Sequence, residues 1–281
     1  KTTADSTRHG KKATAEYSVF PAMQYKIKEV IFPEDSSAIA KSINQVKKGS
    51  LLKVDQPYDL EVIKAERERI DNRLKNKGYF YFSPDYILAK VDSTKGNHEV
   101  NIRLVVKNDT PEKAKVPYKI GDVTIYPNFS IRKDSTGLTD NDIVKYNDFI
   151  IVDSADTFNP RVFDRTVYLR KGEIYGKKKQ NLTLNRFINL GVFKFVKNDF
   201  KLSDSIPNAL DVDYYLTLAP KKFIRTEFEA SVNSASYTGF NVNVNWNNRN
   251  VFGGAELLTI SAYGGTDFQI SGENKGYNIY T

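Results

Sequence analysis

The chain has 281 residues, with 42 Lys and Arg against 34 Asp and Glu, a formal net charge of +8 and no cysteine. The lack of cysteine excludes disulfides, thiolate zinc sites and cysteine nucleophiles. The charge and aromatic content exclude a disordered chain, and no apolar run approaches the ~20 residues that a transmembrane helix needs. The length predicts two or more domains with cores of ordinary size.

Residues 1–22 precede the first complete structural unit. Lys1–Gly10 is polar and lacks the apolar segment of a signal peptide, so we expect a cytosolic chain or a mature or truncated part of an exported one. Residues 12–20 alternate apolar and polar side chains, which predicts the last strand of a preceding unit. A disordered N-terminal tail is the alternative interpretation.

Residues 23–109 are predicted to form one β-α-α-β-β unit. The β-branched and aromatic run Tyr25–Phe32 predicts its first strand. Apolar residues then recur at helical spacing and predict two helices, the second of which is capped by Asp59 and ended by Gly78. The apolar helix positions are Ile39, Ile43, Val46, Leu60, Ile63, Ile70 and Leu74, and the last two strands are predicted at Tyr79–Val91 and Val100–Val106.

Residues 110–220 repeat this order, interrupted by an insertion at residues 128–157 that is rich in Asp, Ser and Thr. Asn159-Pro160 predicts a helix start, and a short second helix is expected around Leu184–Ile188. Both units therefore imply a small sheet covered on one face by two helices. The expected equivalences are Lys171-Gly172 with Lys48-Gly49 and Gly191-Val192-Phe193 with Gly78-Tyr79-Phe80, and the last strands are predicted at Phe195–Leu202 and Leu210–Leu218.

The helical signal disappears in residues 221–281. Three runs alternate apolar with polar side chains over lengths greater than the about five or six residues of a typical globular strand. In one run, every polar position is asparagine. Long dyad-patterned strands joined by turns are typical of a transmembrane β-barrel. The apolar positions are Ile224, Thr226, Phe228, Ala230 and Val232, then Phe240, Val242, Val244 and Trp246, then Leu258, Ile260, Ala262, Gly264, Thr266, Phe268 and Ile270.

A different interpretation of these strands is an antiparallel sheet that rests on a soluble core. The strand length and the asparagine face argue against it, because such a face offers nothing to a second packing layer. Three strands and the start of a fourth cannot close a barrel, and open edges are not tolerated in lipid. Under the barrel interpretation we therefore expect the chain to be a fragment.

Together these features resemble a known family. The repeated units resemble polypeptide-transport-associated (POTRA) modules, including the Lys-Gly before the second helix and the Gly-[Tyr/Val]-Phe that ends it. Residues 247–256 read N-N-R-N-V-F-G-G-A-E and resemble the segment that leads into an early barrel strand of the BamA/TamA group of outer-membrane assembly factors. Residues 64–70 and 76–80 look closest to the TamL branch found in Bacteroidetes. Most of that family's barrel is absent, including the loop that carries its Arg-containing signature.

The predicted fold class is α+β, with tandem β-α-α-β-β POTRA modules followed by the first antiparallel strands of a transmembrane β-barrel. The resemblance implies a protein of the bacterial outer membrane with periplasmic modules. Those modules would receive client polypeptides and pass them to a barrel that inserts or translocates them. The implied partners are unfolded or nascent outer-membrane proteins, outer-membrane lipid, and other envelope assembly proteins or lipoproteins.

The candidate site residues lie on strand edges, where free backbone amides can accept a client segment as an extra strand. By the resemblance, the edge of each module is the strand after its second helix, at Tyr79–Ala89 and Phe195–Leu202. A third edge is the first barrel strand, at Ile224–Val232. The candidate client-pairing residues are Tyr79, Tyr81, Phe195, Lys197, Ile224, Thr226, Phe228, Ala230 and Val232, and the candidate barrel turn consists of Arg249, Asn250, Phe252, Gly253 and Gly254.

Catalytic chemistry is not indicated by the sequence. His98 lies beside a predicted turn, where a solvated side chain is expected, and we find no set of nucleophile, base and orienting group. The acidic residues of the insertion do not have the spacing of a calcium loop, so a solvated acidic loop is expected. No enzyme activity, cofactor, metal or nucleic-acid partner is predicted. Acidic residues that fall in the insertion include Asp134, Asp140, Asp142, Asp153 and Asp156.

Two charged features leave alternatives open. Arg67 falls on the apolar face of the second helix, where it either extends past the core to solvent or pairs with a carboxylate at a module junction. Residues 177–179 are three lysines at the start of the short helix. They predict either a solvated helix end or a contact with anionic lipid or an acidic partner.

Two further functions compete with an assembly factor. One is a secretion pore that exports a dedicated partner. The other is a periplasmic or surface scaffold whose modules bind a ligand or envelope partner and have no role in transport.

Overall fold

The computed structural model describes residues 23–94, 96–130, 143–153, 155–232, 237–269 and 276–281. They form two compact units, one from the described residues up to Leu74 together with Tyr81–Val116, and one from Lys75–Phe80 together with the described residues of Pro117–Thr281. No helix in these ranges is long and apolar enough to cross a membrane. The strand predicted at residues 12–20 lies outside the described residues.

The first unit is a three-stranded sheet with two α-helices. Its sheet has the order β1-β3-β2, in which β1 is parallel and β2 antiparallel to the central strand. Both helix starts are capped, since Ser37 Oγ accepts a bond from Ala40 N and Asp59 Oδ1 accepts one from Glu61 N at 2.8 Å. The elements are β1 (Lys26–Ile31), α1 (Ala38–Gln45), α2 (Leu60–Lys75), β2 (Ile87–Asp92) and β3 (Glu99–Val106).

The apolar positions predicted from helical spacing form the core of this unit, except for Leu60 at the start of α2 and Val46, which follows α1 and is only partly buried. Leu60 is exposed because it is the first residue of that helix, whereas Ile63, Ile70 and Leu74 are buried. The alternating positions of β3 complete the core from the sheet side. The core residues include Ile27, Ile39, Ile43, Ile63, Ile70, Leu74, Ile87, Val100, Ile102 and Leu104.

The strand predicted to begin at Tyr79 begins instead at Ile87, so this prediction was wrong in its first half. Pro84 has no backbone N–H, and residues 84–86 form a 3₁₀ turn capped by Ser83. Tyr79 and Phe82 are buried, while Tyr81 is partly buried. Tyr79 and Tyr81 therefore lie outside the edge strand to which they were assigned.

α2 carries a buried polar cluster that the sequence pattern did not reveal. Glu66 is 0% exposed, and its carboxylate accepts two bonds from Arg69, both at 2.7 Å, and one from Leu51 N at 2.9 Å. Arg69 also donates to the carbonyl oxygen of Val46 at 3.0 Å. The cluster therefore ties α2 to the segment that follows α1. Arg67 pairs with Asp85 at 3.0 Å, inside the unit.

The second unit contains the second module, whose sheet has five strands in the order β5-β6-β4-β8-β7. β4 is parallel to both of its neighbours, β6 and β8. α4 begins at the predicted lysine run, where Lys179 pairs with Glu173 at 2.6 Å. The elements are β4 (Lys119–Tyr126), β5 (Ile143–Tyr146), β6 (Phe149–Val152), α3 (Arg161–Thr166), α4 (Lys177–Asn189), β7 (Phe193–Leu202) and β8 (Ala209–Leu218).

The insertion was expected to be a solvated acidic loop, and for its described residues this expectation was wrong. β5 and β6 form a hairpin that adds to the outer side of β4, because the run Phe149–Val152 is aromatic and β-branched and buries Phe149 and Ile151. Asp153 is also buried, and its Oδ2 accepts bonds from the backbone N atoms of Thr157 and Phe158. Asp134, Asp140 and Asp142 lie outside the described residues.

The expected equivalence of Lys171-Gly172 with Lys48-Gly49 was also wrong. Gly172 N donates to Ile120 O at 2.7 Å, and in the first module Asp55 N donates to Ile27 O at 2.8 Å. Gly172 and Asp55 both have positive φ angles, of 81° and 66°. The position equivalent to Gly172 is therefore Asp55. Asp can occupy it because Asp, like Gly, tolerates the left-handed backbone region.

The last four strands form a separate antiparallel sheet with the order β12-β11-β10-β9. Its strands are β9 (Lys222–Val232), β10 (Tyr237–Arg249), β11 (Leu257–Gln269) and β12 (Tyr277–Tyr280). β10 and β11 each have 13 residues and pair along their whole length. The three long strands predicted from dyad alternation are confirmed.

Candidate functional site

The sheet of β9–β12 presents an exposed apolar face. Apolar positions of neighbouring strands lie directly opposite one another, so that Ile224, Trp246 and Ile260 form a row across three strands. Ile224 is 68% and Phe228 80% exposed. A contiguous apolar surface of this kind indicates contact with lipid or with another protein. Other exposed members are Val232, Phe240, Val242, Val244, Leu258, Phe268 and Ile279.

The opposite face of this sheet is polar and is crossed by side-chain bonds between strands. Thr259 Oγ1 donates to Asn247 Oδ1 at 2.7 Å, and Ser261 Oγ donates to Asn245 Oδ1 at 2.5 Å. Tyr280 donates to Asn241 Oδ1 at 3.1 Å. Asn241, Asn245 and Asn247 therefore form a cross-strand ladder that needs no second packing layer, whereas Asn243 Oδ1 is buried and has no hydrogen-bond partner among the described residues.

β9 lies at one edge of this sheet. Its inner side pairs with β10 from Lys222 to Val232, and no strand in the described part of the chain pairs with its outer side. The candidate residues Ile224, Thr226, Phe228, Ala230 and Val232 all lie on the apolar face, because side chains alternate along a strand. Any pairing through this edge would therefore use the backbone of β9, with these side chains beside the added strand.

β2 and β7 are edge strands of the two module sheets. Phe195 and Lys197 lie in β7, and both side chains are exposed. In the first module, the residues that occupy the edge strand are Ile87–Asp92 rather than Tyr79 and Tyr81. The structure thus places the edge strands β7 and β9 at the predicted residues, whereas the edge strand of the first module begins eight residues later than predicted, at Ile87 rather than Tyr79.

The turn between β10 and β11, residues 250–256, packs on the second module, and we call it the docked turn. Asn250 Nδ2 donates to Thr157 O at 2.7 Å, and Asn159 N donates to Gly253 O at 2.8 Å. Inside the turn, Ala255 N donates to Asn250 Oδ1 at 2.9 Å. Asn250 therefore bonds both to the module and to its own turn.

Arg249 fixes the short linker between the module and the long strands. Only residues 219–221 separate β8 from β9. Arg249 donates from Nε to Gly191 O at 2.7 Å and from Nη1 to Pro220 O at 2.8 Å, and its guanidinium lies 4.2 Å from the centre of the Phe223 ring. Its backbone N also donates to Lys221 O at 2.7 Å. The linker is therefore held by hydrogen bonds as well as by the chain.

The docked turn has positive φ angles at Asn250, Gly253 and Ala255, as expected for a tight reversal. Glu256 closes the turn by accepting a bond from Phe252 N, and this bond lowers the pKa of the Glu256 carboxyl below its ordinary value. Phe252 itself is 87% exposed. A cavity of about 450 Å³ lies beside the turn and is lined in part by Asp156, Lys221, Arg249 and Phe252.

The chemistry of this site consists of hydrogen bonding and apolar contact. In the ranges that the structure describes, no group of three or more His, Asp or Glu side chains is placed to hold a metal ion. The sequence located the turn, including Gly254, but not its docking partners. Thr157 and Asn159 were predicted only as the end of an insertion and a helix cap. A carbonyl acceptor such as Gly191 O leaves no signal in the side-chain pattern.

Residues 25–108 match the family model described as "POTRA: Surface antigen variable number repeat". The first module matches the POTRA family. No curated protein matches the chain at a significant level.

Solved structures similar to the chain include BamA fragments with POTRA modules and a CdiB protein. The crystal structure of BamA from Haemophilus ducreyi lacking POTRA domains 1-3 has a TM-score of 0.56 at 14% identity, over 87% of this chain and 39% of that one. BamA POTRA3-5 from Haemophilus influenzae has a TM-score of 0.43 at 15% identity, over 69% of this chain and 62% of that one. CdiB from Acinetobacter baumannii has a TM-score of 0.36 at 12% identity, over 95% of this chain and 45% of that one.

The first of these likenesses supports the fold. The chain is α+β, with modules followed by long antiparallel strands that resemble part of a BamA structure, and the predicted fold class is confirmed. The chain spans 39% of the length of that structure.

Proposed function

We propose that the chain belongs to an outer-membrane factor for the assembly or translocation of proteins, with its modules in the periplasm and β9–β12 in the membrane. One observation carries this proposal: strands with an exposed apolar face continue directly from a POTRA-type module through a hydrogen-bonded linker of three residues. The division into modules at residues 23–109 and 110–220, with barrel strands from 221, is part of the proposal.

The strand lengths agree with a membrane position. A transmembrane β-strand needs about 9–11 residues when it is tilted. β9 has 11 residues, and β10 and β11 each have 13. Their apolar face would meet lipid and their asparagine ladder would face a polar interior, as in outer-membrane barrels.

In the proposed mechanism, client polypeptides add as strands to β2 or β7 and then to β9. Edge pairing uses backbone groups, so it accepts many sequences. At β9 a client strand would pair in lipid, where each unpaired backbone group costs several kcal/mol. Pairing there is favourable without an energy-supplying cofactor. Unfolded outer-membrane proteins, outer-membrane lipid and envelope lipoproteins are the proposed partners.

Placement in the TamL branch of the BamA/TamA group is a finer part of this proposal. It is supported by the sequence of residues 64–70 and 76–80. A dedicated secretion pore and a binding scaffold are the functions against which it must be tested.

A photo-crosslinking amino acid at Thr226 of β9 tests the proposed mechanism in cells. Val244 is the matched control, because it lies directly opposite Thr226 on the same face but belongs to β10, which is paired on both sides. We expect adducts with nascent outer-membrane proteins at Thr226 and not at Val244. Equal adducts at both positions, or none at Thr226 in a functional protein, would contradict the mechanism.

Depletion of the protein followed by outer-membrane proteomics separates the three functions. Loss of many barrel proteins is expected for an assembly factor. Loss of one exported partner would instead indicate a dedicated pore, and an unchanged proteome would indicate a scaffold.

A further inference from the structure

Two cations lie side by side at the edge of the first module. Lys90 of β2 is directly opposite Arg103 of β3, on the sheet face that is turned away from the core. Both side chains are exposed. In the described part of the chain, neither of them forms an ion pair, whereas Lys28 on the same sheet pairs with Glu99 at 2.6 Å.

This pair of like charges lowers the stability of the module when no partner is bound. Side chains directly opposite each other in an antiparallel pair are about 4.5–5.5 Å apart at Cβ, and like charges in such a pair are destabilising. Lys90 and Arg103 also line a cavity of about 320 Å³ whose other wall includes Glu34 and Asp35. Asp35 accepts a bond from Ser37 N at 3.0 Å, and among the described residues neither Glu34 nor Asp35 forms an ion pair with the two cations. The positive charge at β2 is therefore available to a partner.

The second module has the opposite charge at the same place. The pairs Val30–Ile102 and Val123–Val212 are equivalent in the two sheets, so Lys90 and Arg103 correspond to Asp199 and Asp213. Asp213 is paired with Lys201 at 3.0 Å. The equivalent edge strands β2 and β7 therefore differ in charge: the β2 edge has two cations without ion pairs, and the β7 edge has an acidic pair that Lys201 partly neutralises.

We propose that β2 selects extended polypeptide segments that carry an acidic side chain in register with Lys90. This inference rests on the proposed function, because it assumes that a client strand pairs with β2. A residue paired opposite Lys90 places its side chain on the same face, beside Lys90 and with Arg103 behind it. An Asp or Glu at that position relieves the repulsion between the two cations.

The neighbouring client residues meet a different surface. Their side chains point to the other face of the sheet, beside Ala89 and Val91 of β2. Val91 is an exposed apolar side chain. The preferred client pattern is therefore apolar, acidic, apolar, which is a form of the dyad alternation of outer-membrane strands.

A polypeptide fits this site better than an anionic lipid headgroup. The cations lie on and next to an edge strand whose outer backbone groups have no partner strand in the described ranges. A peptide uses both the backbone edge and the charge, whereas a headgroup uses the charge alone. The same acidic segment would be repelled at Asp199 of β7, so the two modules differ in what they accept.

The test uses the full chain in detergent and two fluorescent peptides, one alternating valine with glutamate and one alternating valine with lysine. At low ionic strength we expect the glutamate peptide to bind β2 about three- to tenfold more tightly, and the difference to shrink as salt is added. Lys90→Gln with Arg103→Gln should remove the preference, and Lys90→Glu with Arg103→Glu should reverse it. Lys41→Glu, a charge reversal at an exposed position of α1, is the control and should leave the preference unchanged.

A photo-reactive group in each peptide reports where it binds, so two kinds of failure can be told apart. Equal binding of both peptides to β2 overturns this inference and leaves the proposed function intact. Absence of adducts on β2, β7 and β9 contradicts the proposed function itself. If the two Gln substitutions abolish binding to anionic vesicles but leave the peptide preference unchanged, the cations serve lipid and the inference is wrong.

Discussion

Arg249 Nε donates to the carbonyl oxygen of Gly191 at 2.7 Å, which joins the first long hairpin to the end of α4. The same guanidinium bonds Pro220 O and stacks on Phe223. One side chain therefore holds three segments that are far apart in sequence. In the proposed mechanism, this contact keeps the edges of β7 and β9 in a fixed relation while a client passes between them.

Replacement of Arg249 should loosen the linker. Arg249→Gln removes a charge-assisted pair of bonds, and a loss of about 1.5–3 kcal/mol per bond to a charged group is typical. We expect faster amide hydrogen exchange in residues 219–223, because their carbonyl and ring contacts are lost. Arg225→Gln is the control, since Arg225 is an exposed strand residue whose side chain pairs with Glu227. Unchanged exchange in the Arg249 variant would show that its side chain does not hold the linker.

The docked turn should be sensitive to each half of the Asn250 amide. Asn250→Asp keeps the acceptor for Ala255 N but loses the donor to Thr157 O, and Asn250→Gly keeps the positive φ but loses both bonds. We expect each of these variants to lower the free energy of unfolding by about 1–3 kcal/mol. A third variant, Asn250→Ala, should lose more, because it removes both bonds and also strains the positive φ angle.

Urea unfolding followed by tryptophan fluorescence measures these losses. Trp246 is the one tryptophan of the chain and lies on β10 close to the turn. If Asn250→Gly is as stable as the wild type, the amide bonds contribute nothing to docking.

Dyad alternation was enough to predict β9, β10 and β11, because a strand that separates two environments repeats at every second residue. It could not predict what the turn contacts, since Thr157 and Asn159 are distant in sequence and contribute backbone atoms, Thr157 O as an acceptor and Asn159 N as a donor. The start of β2 was missed because Tyr79 and Phe82 have strand propensity but are buried outside the sheet, before Pro84. The β5–β6 hairpin was missed because its acidic surroundings obscured a four-residue strand.

Removal of one partner of the Glu66–Arg69 pair should lower the free energy of unfolding more than replacement of both partners by apolar side chains. Glu66→Ala leaves the partly buried Arg69 guanidinium without its carboxylate, and a loss of up to about 3–5 kcal/mol is typical of a broken buried pair. Glu66→Met with Arg69→Met should cost less than either single change, because neither charge is then buried alone. Hydrogen exchange of β3 amides measures the effect on the first module.

Glu61→Ala is the control on the same helix, since Glu61 is exposed and pairs with Lys64. It should change the stability by no more than about 0.5 kcal/mol. A double variant as unstable as Glu66→Ala would indicate that the methionines cannot pack at this site.

Asp164 should contribute to the loss of stability in acid. The hydrogen bond from Arg170 lowers the pKa of the Asp164 carboxyl below its ordinary value. Its stabilising contribution is therefore complete above the unfolded pKa, near pH 4, and is lost as the pH falls through the lower folded pKa. Asp164→Asn should be less stable at neutral pH and should lose less stability on acidification. Parallel curves of unfolding free energy against pH for the two proteins would contradict this.

Two glycines that end equivalent helices should respond differently to alanine. Gly78 and Gly191 both have positive φ, of 100° and 70°. A Cβ at Gly191 meets no atom within 4 Å, so Gly191→Ala should cost only the backbone strain of about 1–2 kcal/mol. A Cβ at Gly78 would lie 2.9 Å from Ile174 Cγ2 and 3.1 Å from Tyr118 O, and such overpacking adds about 1–3 kcal/mol. Urea unfolding monitored at Trp246 should therefore show a larger loss for Gly78→Ala, and equal losses would mean that the segment after α2 shifts freely to accept the methyl group.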